Sequence, residues 1–391
     1  MTEAWLIEIV KAIGKMFMNP LLYWMFLLLF LAGYKRIKQE RMDFGFKVFD
    51  VFTEWKRTWV LSLVSGIVLS LLIIGTGVVF FYETMLLLCI IAILLSFTLK
   101  FTMLSAGYTI GITYLLLIFL PFLLENQSYV ATDLFSQTNF TGLSLLLGLF
   151  LVIEAILLRT IKRNASLPSV IIGNRGLPIG QHRIKRLGFI PFFALVPAGM
   201  ITPFAPFWPY FSIGETSYSL IVVPFIIGVD YLIRGSLPRL AAARLAKMTA
   251  YLAVVVLLIA IGSIFVSWLS LAAVLVAIIG KEWIRYDHKV KDRQGLAYFH
   301  PLNEGLKVLS VIPGSPADRL EILVGETISK VNGKKVNSAD AFYLALRESG
   351  ATFKLDILDD ANEVRFLQSA LYEGDHYELG LVFITEPYRR K

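Results

Sequence analysis

Four histidines and one cysteine are all that 391 residues contain, and that scarcity excludes most metal and thiol chemistry at the outset. An intramembrane zinc protease needs His-Glu-x-x-His on a helix, two imidazoles one turn apart with a glutamate base. His182, His288, His300 and His376 have no such spacing, and none lies in a long apolar run. The same census removes a serine–histidine pair, although Ser65-Gly66 sits in an apolar stretch. No GxSxG elbow and no phosphate-cradling P-loop occurs. These histidines are expected on exposed loops. Cys89 lies among leucines, where a lone thiol packs as a small apolar residue, and no disulfide framework exists. No cofactor and no metal is expected, and the chain reads as a non-enzyme. The start, MTEAWLIEIVKAIGK, lacks a basic leader region and a small-residue cleavage site. It is expected to be retained as an amphipathic lead-in and not removed as a signal peptide.

Charge is also scarce, over long runs. Apolar residues make up 57% of the chain and mean hydropathy is +0.69, above the roughly 45–50% of soluble domains. Stretches long enough, or nearly so, to cross a ~30 Å hydrocarbon core occur at Met16–Tyr34, Thr58–Phe80, Thr84–Leu99, Met103–Leu124 and Phe140–Leu158. Phe189–Ile213 and Tyr218–Ile233 follow. Basic residues then test the partition. Loops 35–57 and 159–188 carry seven Lys/Arg each and loop 234–247 four, while 81–83, 125–139 and 214–217 carry none. Those last three hold only Glu83, Glu125, Asp133 and Glu215. Such alternation places the basic loops in the cytoplasm.

Residues 248–280 are uncharged throughout. As one helix they would reach about 50 Å, too long for an ordinary crossing. Both flanks are basic, with Arg244 and Lys247 before and Lys281 and Arg285 after. The stretch is therefore expected to enter and return as a helical hairpin turning near Gly262–Ser263. Residues 1–280 then form a multi-span domain of eight or nine helices, depending on whether the first segment crosses or lies in the interface. Residues 281–294 become a basic juxtamembrane linker. Within the expected spans only Glu154 and Asp230 are acidic, both near a span end, where snorkelling or local pairing accounts for them. Net charge is +11 over residues 1–294 and −3 over 295–391. The basic surplus thus belongs to membrane loops beside anionic lipid headgroups. Nothing resembles a groove-reading helix, so nucleic acid is not an expected partner.

From Gly305 the periodicity changes to short strands and turns. Leu306–Ile312 reads as a strand and Pro313–Gly314 as a turn into a short helix. Glu326–Val331 is a strand before the turn Asn332–Gly333. Ser338 caps a helix with Phe342 and Leu346 on its inner face. Thr352–Leu358 and Glu363–Ala370 form a hairpin, and Glu378–Ile384 is a closing strand. Pro313-Gly314-Ser315-Pro316-Ala317, Val324-Gly325-Glu326-Thr327-Ile328 and Val331-Asn332-Gly333 make residues 295–386 resemble the PDZ domain family, with 387–391 a basic tail. Glu326-Thr327 departs from the family's usual Asp-hydrophobic pair. The fold class is thus a polytopic α-helical membrane domain followed by a small α+β PDZ domain.

The PDZ resemblance implies capture of extended C-termini by strand addition beside the helix, with backbone N–H groups holding the terminal carboxylate. Two segments could supply that loop. Gly295-Leu296-Ala297-Tyr298-Phe299 precedes the first strand. Leu379-Gly380-Leu381 has the better family shape and would make the domain circularly permuted; its bland reading is a closing strand with a glycine bulge. The second is preferred, with Ala339 and Tyr343 as the helix positions facing the groove. A multi-span body leading into a PDZ domain that closes in ALYEGDHYELGLVF (Ala370–Phe383) resembles the MinJ family, cell-division topology factors of rod-shaped Gram-positive bacteria. That resemblance implies a membrane scaffold at septum and poles. It would bridge DivIVA-like and MinD-like proteins, together with other divisome membrane proteins, and hold its PDZ domain in the cytoplasm. A transporter or channel with a regulatory PDZ tail is the competing expectation. It is motivated by five prolines in Phe189–Ile213 and opposed by the absence of ionisable residues mid-span.

Overall fold

The computed structural model describes residues 2–124, 138–173, 176–205, 208–209, 217–302, 304–350, 352–370 and 379–388. Glu125, Asp133, Arg175, Pro206, Glu215, His376 and Glu378 lie outside them, as does the end of the tail at 389–391. The first part comprises helices α1 (Thr2–Met16), α2 (Pro20–Phe44), α3 (Thr53–Lys56), α4 (Trp59–Thr76), α5 (Tyr82–Ser96), α6 (Ala106–Leu124) and α7 (Phe140–Arg159). Strands β1 (Leu167–Ile172), β2 (Pro178–Ile201) and β3 (Tyr218–Ile233) follow, then α8 (Pro238–Gly262) and α9 (Leu269–Gln294). Punctuation is local. Asn19 accepts a hydrogen bond from Leu21 N with Pro20 at the first helical position, and Gly45 closes α2 at φ 84°.

By length and composition, α2, α4, α7 and α8 can each cross a membrane. The outward residues agree with that reading. Ile67 and Leu71 on α4 are 62% and 67% exposed, and Leu258 on α8 is 65% exposed. Apolar stripes of this kind are a liability in water and a requirement in hydrocarbon. Helices α8 and α9 pack as a hairpin, and a side chain at Gly280 would meet Leu252 at 2.4 Å. The basic segment 281–294, expected as a linker, is the second half of α9.

Two expected helical spans contribute strands, the first of them as far as Ile201. Phe189–Ile213 and Tyr218–Ile233 supply most of a long antiparallel hairpin in which Phe189 pairs with Ile226 and Pro197 with Tyr218. The physical reason is composition. Tyr218–Ile233 is rich in Val and Ile and Phe189–Ile213 in Phe, and Pro191 stands opposite Pro224, so two missing N–H donors fall on one rung. Nearly every residue of β3 is buried. Because both faces are covered, the period-two alternation that marks a strand disappears, and hydropathy reads as a helix. Residues 189–197 at ~3.3 Å each cover about 30 Å.

A sheet in hydrocarbon cannot leave its edges bare. On the β2 side, Ser70 Oγ accepts from Phe193 N at 2.9 Å and Phe80 N donates to Leu195 O at 2.8 Å. Helix α4 approaches so closely that a Cβ on Gly66 would lie 2.2 Å from the Pro191 carbonyl oxygen. On the β3 side, Ser219 Oγ donates to Glu8 of α1 at 2.5 Å. Asp230 accepts from Phe101 N at 3.3 Å. The hairpin is therefore wrapped by helices and side-chain caps, and Pro191 and Pro197 sit in β2 and not in a broken helix.

Pairing of the buried acids also differs from expectation. Asp230 is held by Arg183 across the hairpin at 2.6 and 2.7 Å, 47 residues away in the chain. Glu154 forms an ion pair with Lys281, both buried, and also accepts from Ser105 Oγ at 2.7 Å. Lys281, expected at the membrane edge, therefore lies in the packed interior midway along α9.

The C-terminal part contains β4 (Leu306–Val311), α10 (Pro316–Arg319), β5 (Thr327–Val331), β6 (Lys334–Lys335), α11 (Ala339–Arg347), β7 (Thr352–Leu358), β8 (Val364–Ala370) and β9 (Leu381–Phe383). Sheet order is β8-β7-β5-β4-β9, with β6 paired to β5. Ser315 caps α10 and Ser338 caps α11, and the turn before β6 has φ 49° and 79° at Asn332 and Gly333. Phe342, Leu346, Val331, Leu355 and Ile357 fill the core. The unusual Glu326 is buried, accepting from Leu323 N at 2.9 Å and from Arg365 at 2.9 and 3.0 Å.

Candidate peptide groove and its junction with the membrane body

The last described strand of the chain lies beside the first strand of the PDZ sheet. β9 pairs antiparallel with β4, Leu381 opposite Val311 and Phe383 opposite Val308, and it forms one end of the sheet order. Before it, Leu379 and Gly380 both take left-handed conformations, φ 56° and 79°. Their carbonyls turn inward: Gly380 O accepts from Ile312 N at 2.8 Å and Leu379 O from Ala317 N at 3.0 Å. Helix α11 closes the other side. Phe342 and Phe383 rings stand 5.1 Å apart, and the Tyr343 hydroxyl points at the Leu381 carbonyl from 3.5 Å. Ala339 packs on the same core one turn earlier. The structure thus gathers Leu379, Gly380, Leu381, Ala339 and Tyr343 at one edge of the domain. The alternative loop is elsewhere. Gly295–Phe299 leaves α9, and Phe299 bridges Gly180 of β2.

Alternation along β9 has a consequence. Leu381 and Phe383 enter the PDZ core, whereas Val382 points the other way, into a cluster with Phe299 and with Phe49, Leu167, Val170 and Leu237 of the membrane body. Polar contacts fix this junction. Arg163 grips Asp360 with two bonds of 2.7 and 2.6 Å and donates to Val324 O at 2.5 Å. Asn164 donates to Ile322 O at 2.8 Å and accepts from Val324 N at 2.9 Å. Gly180 N donates to Phe299 O at 2.8 Å, and a Cβ there would come within 2.4 Å of Leu309. Strand β9 is therefore backed by the membrane body. Sequence reasoning missed this surface because its residues come from many separate segments; the one hint was an apolar Val382 with no core position left for it.

His182 corrects the expectation of exposed histidines. It is fully buried on β2 at this junction, its Nδ1 2.9 Å from Ser166 Oγ and its ring 4.5 Å from that of Phe299. Burial without a carboxylate pushes its pKa down to about 3, so the ring is neutral. His300 is exposed and His288 half-buried, touching backbone carbonyls of Ala297 and Leu232. Among the described residues no three His, Cys, Asp or Glu side chains gather as metal ligands. The buried pair Glu154–Lys281 borders a void of about 10 Å³, at most the room of one water.

Comparison with known proteins places both parts. The PDZ domain family matches residues 307–358. The cell division topological determinant MinJ of Bacillus subtilis is 32% identical over 390 residues, covering 99% of this chain and 97% of that protein. The probable cell division topological determinant MinJ of Lacticaseibacillus paracasei is 24% identical over 84 residues, 22% of this chain and 23% of that protein. An identity at this level that runs through the membrane body and the PDZ domain alike makes the chain a member of the MinJ family.

Proposed function

We propose that the protein is a non-enzymatic membrane scaffold of division-site topology. Its PDZ groove captures division regulators at the septum and poles, bridging DivIVA-like and MinD-like proteins together with other divisome membrane proteins. The observation that carries this is the backing of β9 by the membrane body: the groove strand is held in a fixed pose at the bundle end. A captured C-terminus would extend the sheet along β9, its carboxylate held by N–H groups of the Leu379–Leu381 loop. Anchoring in two dimensions raises effective concentration, so a modest groove affinity suffices.

A cytoplasmic PDZ domain is supported by the basic loops. Val48 and Phe49 of loop 35–57, Leu167 and Val170 of loop 159–188, and Leu237 of loop 234–247 all meet at the PDZ junction. The most basic segments thus surround the domain, as the cytoplasmic side of a membrane protein requires. Against a transporter, Pro191 and Pro197 of the suspected broken helix belong to β2, and the void beside the buried ion pair holds at most one water.

A fluorescent fusion in dividing cells tests the scaffold. The expected signal is a band at the septum and caps at the poles, lost when Arg163→Ala and Asn164→Ala together free the PDZ domain. An even signal around the whole membrane in the parent protein contradicts the reading.

A further inference from the structure

At the PDZ end of the bundle, a groove of about 700 Å³ runs between α7 and α8. Its two walls differ with depth. Val152, Ala155 and Ile156 from α7 face Ala243, Ala246 and Ala250 from α8, and Arg159, Arg244 and Lys247 are the only charged residues that line it. The helices run antiparallel, so Arg159 at the end of α7 and Arg244 near the start of α8 fall at the rim. Val152 and Ala250 lie one to two turns deeper toward the hydrocarbon. Among the described residues none of the three cations holds an ion pair, and Lys247 only stands 5.8 Å from the Tyr251 ring centroid. The larger cleft at the PDZ junction is different in kind. There Arg163 and Arg365 are tied to Asp360 and Glu326, and Arg186 to two backbone carbonyls.

We infer that the α7–α8 groove is a binding site for an anionic phospholipid of the surrounding leaflet. The phosphate would sit among Arg159, Arg244 and Lys247, with an acyl chain along the alanine-lined wall. Three uncompensated cations above an apolar floor match the two ends of such a lipid, and basic pockets between spanning helices are the usual form of such sites. A free phosphate would use the rim and leave the wall uncovered. An acidic peptide would carry backbone N–H and C=O groups into hydrocarbon without partners. The inference rests on the membrane placement of α7 and α8 and not on the scaffold reading, so either can fail alone.

The test is native mass spectrometry of the full-length protein in a zwitterionic detergent, with equimolar phosphatidylglycerol and phosphatidylcholine. Phosphatidylglycerol should be retained over phosphatidylcholine by about tenfold or more. Arg159→Gln, Arg244→Gln and Lys247→Gln combined should abolish that preference. Lys289→Gln, Arg293→Gln and Lys335→Gln, which remove equal charge elsewhere, should not. Ala250→Trp, on the exposed wall, should also lower retention while leaving every cation in place, and it guards against a misfolded triple variant. Equal retention of the two lipids by the parent, or an undiminished preference in the folded triple variant, overturns the site. Displacement of the lipid by inorganic phosphate alone would reassign it to a free anion and also overturn the inference.

Discussion

Lys281→Met should destabilise the membrane body by about 3–5 kcal/mol, the usual cost of leaving one member of a buried ion pair alone. Lys281 is 2% exposed and Glu154 1%, on α9 and α7 respectively. Without the ammonium, Glu154 keeps Ser105 as its one hydrogen-bond partner among the described residues and is left as an unpaired acid in a packed interior. Tyr231 loses its contact with Lys281 at 3.3 Å as well. The double variant Glu154→Leu with Lys281→Met should recover most of the loss, because removing both charges removes the desolvation cost with them. Thermal unfolding of the full chain in detergent, followed by tryptophan fluorescence, measures the cycle. A single variant melting with the parent would show that the pair contributes nothing to packing.

The second large effect is expected at Gly380. A Cβ at this position would lie 2.1 Å from Ser315 Cβ, and its φ of 79° is one that side chains resist. Gly380→Val is therefore expected to displace β9 from β4 and to cost about 3 kcal/mol or more, loosening the PDZ domain as a whole. This changes what a variant there means: it reports on the fold first and on ligand capture only second. Ala339→Trp separates the two, because it enlarges a half-buried side chain on α11 and places no residue in a left-handed conformation. In limited proteolysis of the full chain, Gly380→Val should expose the region after Phe299 to cleavage, while Ala339→Trp stays as resistant as the parent. Equal resistance of Gly380→Val and the parent would contradict the steric account.

What the residues revealed and what they hid divide along physical lines. The PDZ elements were legible because turns and caps are local. Pro313-Gly314, Asn332-Gly333, Ser315 and Ser338 each act within a few residues, and each marks an element boundary in the structure. The helices of the bundle were legible by length. The β2–β3 hairpin was not, since burial on both faces erases the alternation that distinguishes a strand from an apolar helix. Pro191 and Pro224 were the available signal, because a proline near the middle of a short apolar run argues against a helix there. The turn into β9 was legible because Leu379–Leu381 is contiguous. Its backing by Val382 and the Arg163–Asp360 clamp could not be read, since those contacts join positions nearly two hundred apart in the chain.

Site-specific photocrosslinking in dividing cells examines the proposal at its most exposed point. With the crosslinking residue at Tyr343, inside the groove, covalent adducts with DivIVA-like or MinD-like division proteins are expected. The same residue at Lys354, an exposed position on β7, should give none of them. Adducts of equal yield at both positions, or none at Tyr343 in cells that divide normally, would mean that this edge of the PDZ sheet does not capture the division machinery.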